Sequence, residues 1–314
     1  MESIVIGKND AGQRLDKFII KSFKNFPVSL VYKNIRKKNI KVNQKKSNPE
    51  YKIQESDIVT IYVKREFLSK MPTKHDFLKA PSNLDIIYED NNIILVNKRP
   101  GLIVHPDENY HFDSLIARIK HYLFIKKEYD PEKELSFVPA LVNRLDRNTS
   151  GIVIAAKNAD ALKFLNEKMK KREIKKYYLC VVDGIFKKKE NILTAYLEKN
   201  ESKNRVFISS TPKKNFKTIK TKYKVLLEKD GKSTLVIELL TGRTHQIRAH
   251  MAYVGHPVLG DSKYGKKSLK FKHQVLCAYK IKFDFCATTE KNYLDYLNKK
   301  EFTIDKRKLS IFNL

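Results

Sequence analysis

The stretch NRLDRNTSG, Asn143 to Gly151, sets one carboxylate, Asp146, between Arg144 and Arg147 where an apolar run breaks into a turn. An acid there can be simple turn chemistry, because Asp, Asn, Ser and Gly favour turns. It can also be half of a surface ion pair, or a reactive group, since loops at strand ends are where reactive side chains are presented. The tripeptide alone decides nothing, because Arg-Leu-Asp also occurs at Arg14 to Asp16. A second stretch, KKYYLCVVDG, carries Tyr177 and Tyr178, which point to opposite faces of a strand, so that one of them can look into a cleft. A third, TGRTHQIRAHMAYVGHPVLGDSKYG, carries Arg243, Gln246 and Arg248 together with His245 and His250. Those histidines are five residues apart, about 140° around a helix, and so are not stacked on one face as an i, i+4 metal pair would be. The chain has no H-E-x-x-H and no G-x-S-x-G elbow.

These residues need elements to hold them. FVPALVN and GIVIAAK read as strands on either side of Asp146, and KKYYLCVVDG as a strand following the amphipathic helix NADALKFLNEKMKK. The third stretch predicts a strand ending at Thr241 and Gly242, then a helix from Arg243 to Tyr253. Gly255 suits the left-handed position after that helix, with Pro257 beyond it. Ile247, Met251 and Val254 follow core spacing, while Thr244 and Arg248 are expected to share another face. Two arginines on one apolar helix are costly unless something anionic meets them.

Upstream, Asp10 and Gln13 have the spacing of a capping box for a helix whose apolar stripe is Leu15, Phe18, Ile19, Phe23 and Phe26. Pro27 suits the first turn of a second helix with Val28, Val31 and Ile35 as its stripe. Arg14, Lys17, Lys21, Lys24, Lys33, Arg36, Lys37 and Lys38 lie between the apolar positions, and NIKVNQ and SDIVTIYVK read as short strands. Residues 65–83 lose periodicity and carry two prolines, which reads as a linker. From Leu84 to about Phe285, β-rich runs alternate with turns and occasional helices, too mixed for a dinucleotide-binding unit and without a phosphate-binding glycine loop. The tail from Ala287 reads as polar and helical in part, with no role.

The whole composition favours a polyanionic partner. Lys and Arg number 64 against 35 Asp and Glu, a formal net charge of +29, and nucleic acid is the first candidate for such a field. Three dispersed cysteines argue against a disulfide framework or a zinc knuckle and fit a reducing compartment. The first residues lack a basic-then-apolar leader, and no apolar run reaches the ~20 residues a bilayer needs. A cytoplasmic protein is expected.

In this order the motifs resemble those of the RluA-type pseudouridine synthases. That family carries H-R-L-D-x-x-T-S-G, here Asn143 to Gly151, a K-x-Y strand, here Lys176 to Gly184, and G-R-T-H-Q-I-R-x-H followed by G-H-P-x-x-G-D-x-x-Y-G, here Gly242 to Gly265. NKRPGLIVHP matches a further upstream element of the family. The start, about Gly12 to Lys64, resembles the S4 RNA-binding domain, with Asn39 where a glycine is usual.

The resemblance implies an α+β fold. Residues 84–314 would form a pseudouridine synthase domain with a mixed, mainly antiparallel central sheet and flanking helices and loops. A small α/β S4-like domain over 1–64 would precede it, joined by the 65–83 linker. It implies an isomerase of RNA uridine, acting on 23S-type large-subunit ribosomal RNA, with no cofactor, no metal and no membrane, and working as a monomer. Asp146 would be the nucleophile, Arg248 its bidentate ion partner and Tyr178 the aromatic face for an extruded base. Arg144 would contact the phosphodiester or fill the gap left by the flipped base, Arg243 and Gln246 would contact substrate or support loops, and Arg14, Lys17, Lys33 and Arg36 would meet RNA. Asp16, by contrast, belongs to the first turn of a basic helix and is expected to be structural. Two departures stand out: Asn143 replaces the usual histidine, and CAYKIKFDFC lacks the usual His-Pro. The alternative is a non-catalytic RNA-binding or ribosome-assembly factor, in which Asp146 is only a turn residue.

Overall fold

The computed structural model describes residues 1–68, 75–107, 112–202, 205–286 and 292–312. Within them the chain builds two sheets with separate cores. The first is a four-stranded antiparallel sheet of β1 (Glu2–Val5), β2 (Ile40–Val42), β3 (Lys45–Lys46) and β4 (Ile58–Ile61), in the order β1-β4-β2-β3. Helices α1 (Leu15–Ser22) and α2 (Val28–Arg36) cover it. Leu15, Phe18, Ile19, Phe23, Phe26, Val31 and Ile35 are buried against Ile40, Ile53, Val59 and Ile61, which makes the helical stripe the core of this unit. Val28 departs from the predicted stripe and is 51% exposed, because it opens α2 where the helix is not yet over the sheet.

The capping box does not form. α1 begins at Leu15, since Gly12 takes a left-handed φ of 76° and breaks the chain between Asp10 and the helix. The Asp10 carboxylate instead accepts from the Ser136 amide and hydroxyl, and Gln13 Nε2 donates to Ser136 Oγ at 2.7 Å. Both predicted capping residues thus tie the first unit to a distant loop, and Leu135 packs on its core beside them. After α3 (Arg65–Leu68), residues 69–74 of the predicted linker lie outside the described residues. The rest of that stretch includes a 3₁₀ turn, Asp76–Lys79, whose Phe77 is buried in the larger core.

The second sheet has eleven strands among the described residues: β5 (Ile86–Glu89), β6 (Ile93–Lys98), β7 (Ala140–Leu141), β8 (Ser150–Ala156), β9 (Ile174–Asp183), β10 (Glu190–Asn200), β11 (Arg205–Ser209), β12 (Lys217–Lys229), β13 (Lys232–Leu239), β14 (Leu276–Phe283) and β15 (Glu301–Thr303). The order is β11-β10-β12-β13-β9-β14-β8-β6-β5, with β15 beside β14 and β7 beside β8. Every pairing is antiparallel except β8 with β14, so the sheet is mixed and mainly antiparallel as the sequence predicts. Period-two alternation splits the strands between two apolar layers. Val153, Ala155, Tyr178, Cys180 and Val182 face the layer closed by α4 (Leu115–Ile125) and α6 (Gln246–Tyr253). Ile152, Ile154, Leu179 and Val181 face the other, closed by α5 (Ala159–Lys170).

The tail belongs to this second layer. Residues 287–291 lie outside the described ones, but β15 pairs with β14, and Leu294, Leu297, Ile304, Leu309 and Phe312 are buried. Among the described residues its helical content is two 3₁₀ turns, Asp295–Leu297 and Lys306–Phe312. No helix among the described residues is long and apolar enough to cross a membrane.

Candidate active site

Asp146 sits on the turn between β7 and β8, and much of the surrounding sequence holds that turn. Asn143, buried where the related motif has histidine, donates from Nδ2 to the Ile152 carbonyl and accepts from the Ile154 amide, so it clips the incoming chain to β8. Thr149 closes the turn by donating its amide to the Asp146 carbonyl at 3.1 Å, and Gln274 Nε2 donates to Thr149 Oγ1. From β6, the fully buried Lys98 ammonium donates to the carbonyls of Arg99, Leu102 and Arg147 at 3.0, 2.8 and 2.9 Å. That satisfies all three of its protons and staples the turn to the neighbouring loop. Burial pulls the Lys98 pKa down to about 7, while the Asp146 charge acts in the opposite direction.

Immediately after the turn, Gly151 has φ 121° at the parallel junction with β14. A Cβ there would lie 2.4 Å from the Ala278 carbonyl oxygen, so only glycine lets the two backbones approach this closely.

Arg248 reaches Asp146 from α6. Its Nη1 donates to Asp146 Oδ2 at 2.8 Å across 102 residues of sequence. The bidentate contact predicted for this pair is made elsewhere: Nε and Nη2 fork onto Asp261 at 2.6 and 2.9 Å. Asp261 takes the Nε–Nη2 edge of the planar guanidinium, and Asp146 receives one bond from Nη1. Asp261 is itself oriented by the Lys263 and Tyr264 amides. Burial alone would raise its pKa, but the Arg248 hydrogen bonds and charge outweigh that and hold it below the usual range. Burial likewise works against Arg248, and Asp261 with Asp146 keep it above its ordinary value. The Asp146 side chain keeps 25% exposure, against 9% for Arg248 and 1% for Asp261, so it is the member of the trio that solvent or substrate can reach.

The helix carrying Arg248 starts at Gln246, later than predicted. His245 holds a left-handed φ of 52° and Gln246 Oε1 accepts from the Arg243 amide and the Thr241 hydroxyl, which folds 243–245 into a turn. Thr244 is therefore exposed and does not share a helix face with Arg248. Gln246 is buried, and its Nε2 donates to Lys220 O and Thr221 Oγ1, so its polar atoms are spent on supporting this loop. Gly255 takes the left-handed position after the helix with φ 87°.

Tyr178 is buried on β9, on the Asp146 side of the sheet. Burial raises its phenol pKa first and the nearby Asp146 charge adds to it, so the ring is a protonated, apolar wall of the site. Tyr177, on the opposite face, packs under the Lys280 ammonium, 4.6 Å from its ring centroid.

His245 Nε2 lies 3.9 Å from Asp146 Oδ2, and its Nδ1 lies 2.9 Å from the Tyr264 hydroxyl, which also accepts the Val206 amide. Burial lowers the His245 pKa against the pull of Asp146. His250 is turned away, with Nδ1 2.9 Å from Thr221 Oγ1. Among the described residues no group of three His, Cys, Asp or Glu side chains comes together as a metal would require.

The site thus gathers Asp146, Arg248 and Tyr178 from three separate stretches. Arg144 and Arg243 are exposed near the turn and helix that carry the site, outside the ion-pair network, and Gln246 is structural. Arg14 does not present a free cation to solvent, since it is paired with Asp16 and Glu50, while Lys17, Lys33 and Arg36 are exposed on α1 and α2. Reasoning from sequence weighed His245 only as a metal ligand or as a core or phosphate-contact histidine, and passed over Asp261, Tyr264 and Lys98. Asp261 and Tyr264 lie within the third stretch itself, and the cost of a buried arginine was the signal that a second acid was needed.

Comparison with known proteins gives the family to which the chain belongs. A family profile described as RNA pseudouridylate synthase matches residues 92–253. An uncharacterized RNA pseudouridine synthase of Mycoplasma capricolum is 38% identical over 306 residues, covering 96% of each chain. The ribosomal large subunit pseudouridine synthase C of Vibrio cholerae is 34% identical over 275 residues, covering 85% of this chain and 81% of that one. In fold, the chain is similar to the human RNA pseudouridylate synthase domain containing 4, with a TM-score of 0.57 at 17% identity, over 73% of this chain and 91% of that one. The chain belongs to the RNA pseudouridylate synthase family and is an isomerase of RNA uridine.

Proposed function

We propose that the protein converts one or more uridines of 23S-type large-subunit ribosomal RNA to pseudouridine in the cytoplasm, as a monomer, with Asp146 as nucleophile. The observation that carries this reading is the 2.8 Å pair of a reachable Asp146 with a buried Arg248 that is itself anchored on Asp261. The relative named as a large-subunit synthase supports the choice of RNA.

The reaction breaks the N1–C1′ bond, turns the base, and joins C5 to C1′, after which the C5 proton leaves to solvent. A carboxylate can open this sequence by attack at C1′ or at the base. Arg248 keeps the carboxylate oriented and its charge balanced through either route. The uridine must leave its stack to reach so recessed an acid, and Tyr178 offers the apolar face it would pack on. Arg144 and Arg243 lie exposed where they can meet the phosphodiester or the gap the base leaves. Residues 1–64 act as an S4-like RNA-binding domain joined by the 65–83 linker to the catalytic domain over 84–314, with Lys17, Lys33 and Arg36 as its contact face. Every step uses the chain's own side chains.

The test is tritium release from large-subunit RNA labelled at uridine C5. Wild type releases label and Asp146→Asn does not. A non-catalytic RNA-binding or assembly factor would bind the RNA and release nothing with either protein.

A further inference from the structure

A second concavity opens beside the catalytic turn. Its volume is about 620 Å³, within the range of pockets that take a nucleotide-sized ligand. Arg147 and Asn148, the two residues after Asp146, form part of its wall, with Arg99 and Lys272 contributing two more cations. Leu102 and Ile103 add an apolar portion. The one acid lining it among the described residues, Asp113, is already bound bidentately by Arg118 at 2.6 and 2.7 Å. Lys98 lies buried beneath the same loop, where it donates to three carbonyls and feels the Asp146 charge. His273 packs over Gly101 with its Nδ1 buried and lacking a hydrogen-bond partner among the described residues. Burial first, then the charges of Lys272, Lys98 and Arg147, hold that imidazole toward its neutral form, which shows how closely the positive groups converge.

A wall that joins three exposed cations to a small apolar surface suits a ligand with an anionic and a planar part. A nucleotide has both. The wall starts at the residue next to Asp146, so the cavity is within reach of a chain whose uridine occupies the active site. We infer that the cavity is a subsite for a nucleotide flanking the target uridine in the same RNA strand. Its phosphate is held by Arg99, Arg147 and Lys272 and its base lies against Leu102 and Ile103. This rests on the proposed RNA substrate and adds to it a place where neighbouring sequence can be read.

The experiment compares wild type with the double variant Arg99→Gln/Lys272→Gln on an RNA fragment containing the modified uridine. Both side chains are exposed, so the fold is expected to stand. The subsite predicts that kcat/KM falls about tenfold through KM and that the salt slope of RNA binding becomes shallower by about 0.7 for each phosphate no longer neutralised. The charge-keeping pair Arg99→Lys/Lys272→Arg restores the slope. In wild type, one uncharged methylphosphonate next to the target removes the difference between the proteins. An unchanged KM and salt slope in the double variant overturns the subsite, as does a defect that persists whichever flanking phosphate is neutralised. A competitive effect of free uridine monophosphate on wild type but not on RNA-saturated enzyme fits the same pocket, and binding of that nucleotide unaffected by the double substitution counts against it. If wild type converts no uridine in any ribosomal RNA, the enzymatic reading fails separately, and the salt slope, read without turnover, still decides the subsite.

Discussion

Asp16 and Asp146 both end an Arg-Leu-Asp tripeptide, and their surroundings separate them completely. Asp16 is fully buried, with its oxygens taken by Arg14, Tyr32 and the Lys17 amide, and nothing can reach it. Asp146 accepts one bond from Arg248 and keeps an open face. Arg248 holds that geometry only because Asp261 occupies the other side of the guanidinium. Asp261→Asn keeps the shape but removes a buried charge, leaving the arginine underpaired. Breaking such a pair costs about 3–5 kcal/mol. Thermal unfolding of this variant is expected to drop accordingly, and tritium release to fall even where the variant is folded. A variant with wild-type stability and rate would mean that Asp261 does not position Arg248.

At the scale of elements, the turn that carries Asp146 is constrained from both ends. Gly151 admits β14 at a distance no side chain allows, so Gly151→Ala must push the strands apart. The expected loss is about 3 kcal/mol or more, read by denaturant unfolding, with activity falling further because the displaced strand carries the turn. His250, a buried residue of α6, supplies a pH dependence. Burial lowers its pKa from 6.5 to about 4, so between those values the unfolded chain binds a proton that the folded chain refuses. Its contribution is present above pH 6.5 and is lost as pH falls toward 4, worth up to about 3 kcal/mol. His250→Gln should flatten the stability profile across that window, and an unchanged slope would rule the residue out as its source.

Periodicity made the strands around Asp146, the tyrosine strand and the two basic helices legible, because burial on one face repeats along the chain. What it could not reveal was competition for side chains across long separations. Asp10 and Gln13 have capping spacing yet serve Ser136, and Gln246 begins α6 by binding the turn before it. The pairing of Asp146 with Arg248 was legible through the motifs, but the division of Arg248 between two acids depends on packing in three dimensions.

Across the whole molecule, 64 basic against 35 acidic residues make RNA binding chiefly an electrostatic event. If six or more phosphates are contacted, the logarithm of the affinity should fall with the logarithm of salt at a slope of about −4 or steeper. A filter-binding series between low and physiological salt reads this directly, and a flat series would show that the charge does not drive binding. The proposed role of Asp146 requires that it lower a barrier as well as sit in a positive field. The most direct measurement is carbodiimide mapping of pseudouridine across the large-subunit RNA of cells carrying the wild-type gene, the Asp146→Asn gene or no gene. At least one site present with wild type and missing in both other strains is the result expected of an Asp146 nucleophile. Identical maps in all three, or a site retained by Asp146→Asn, would contradict it.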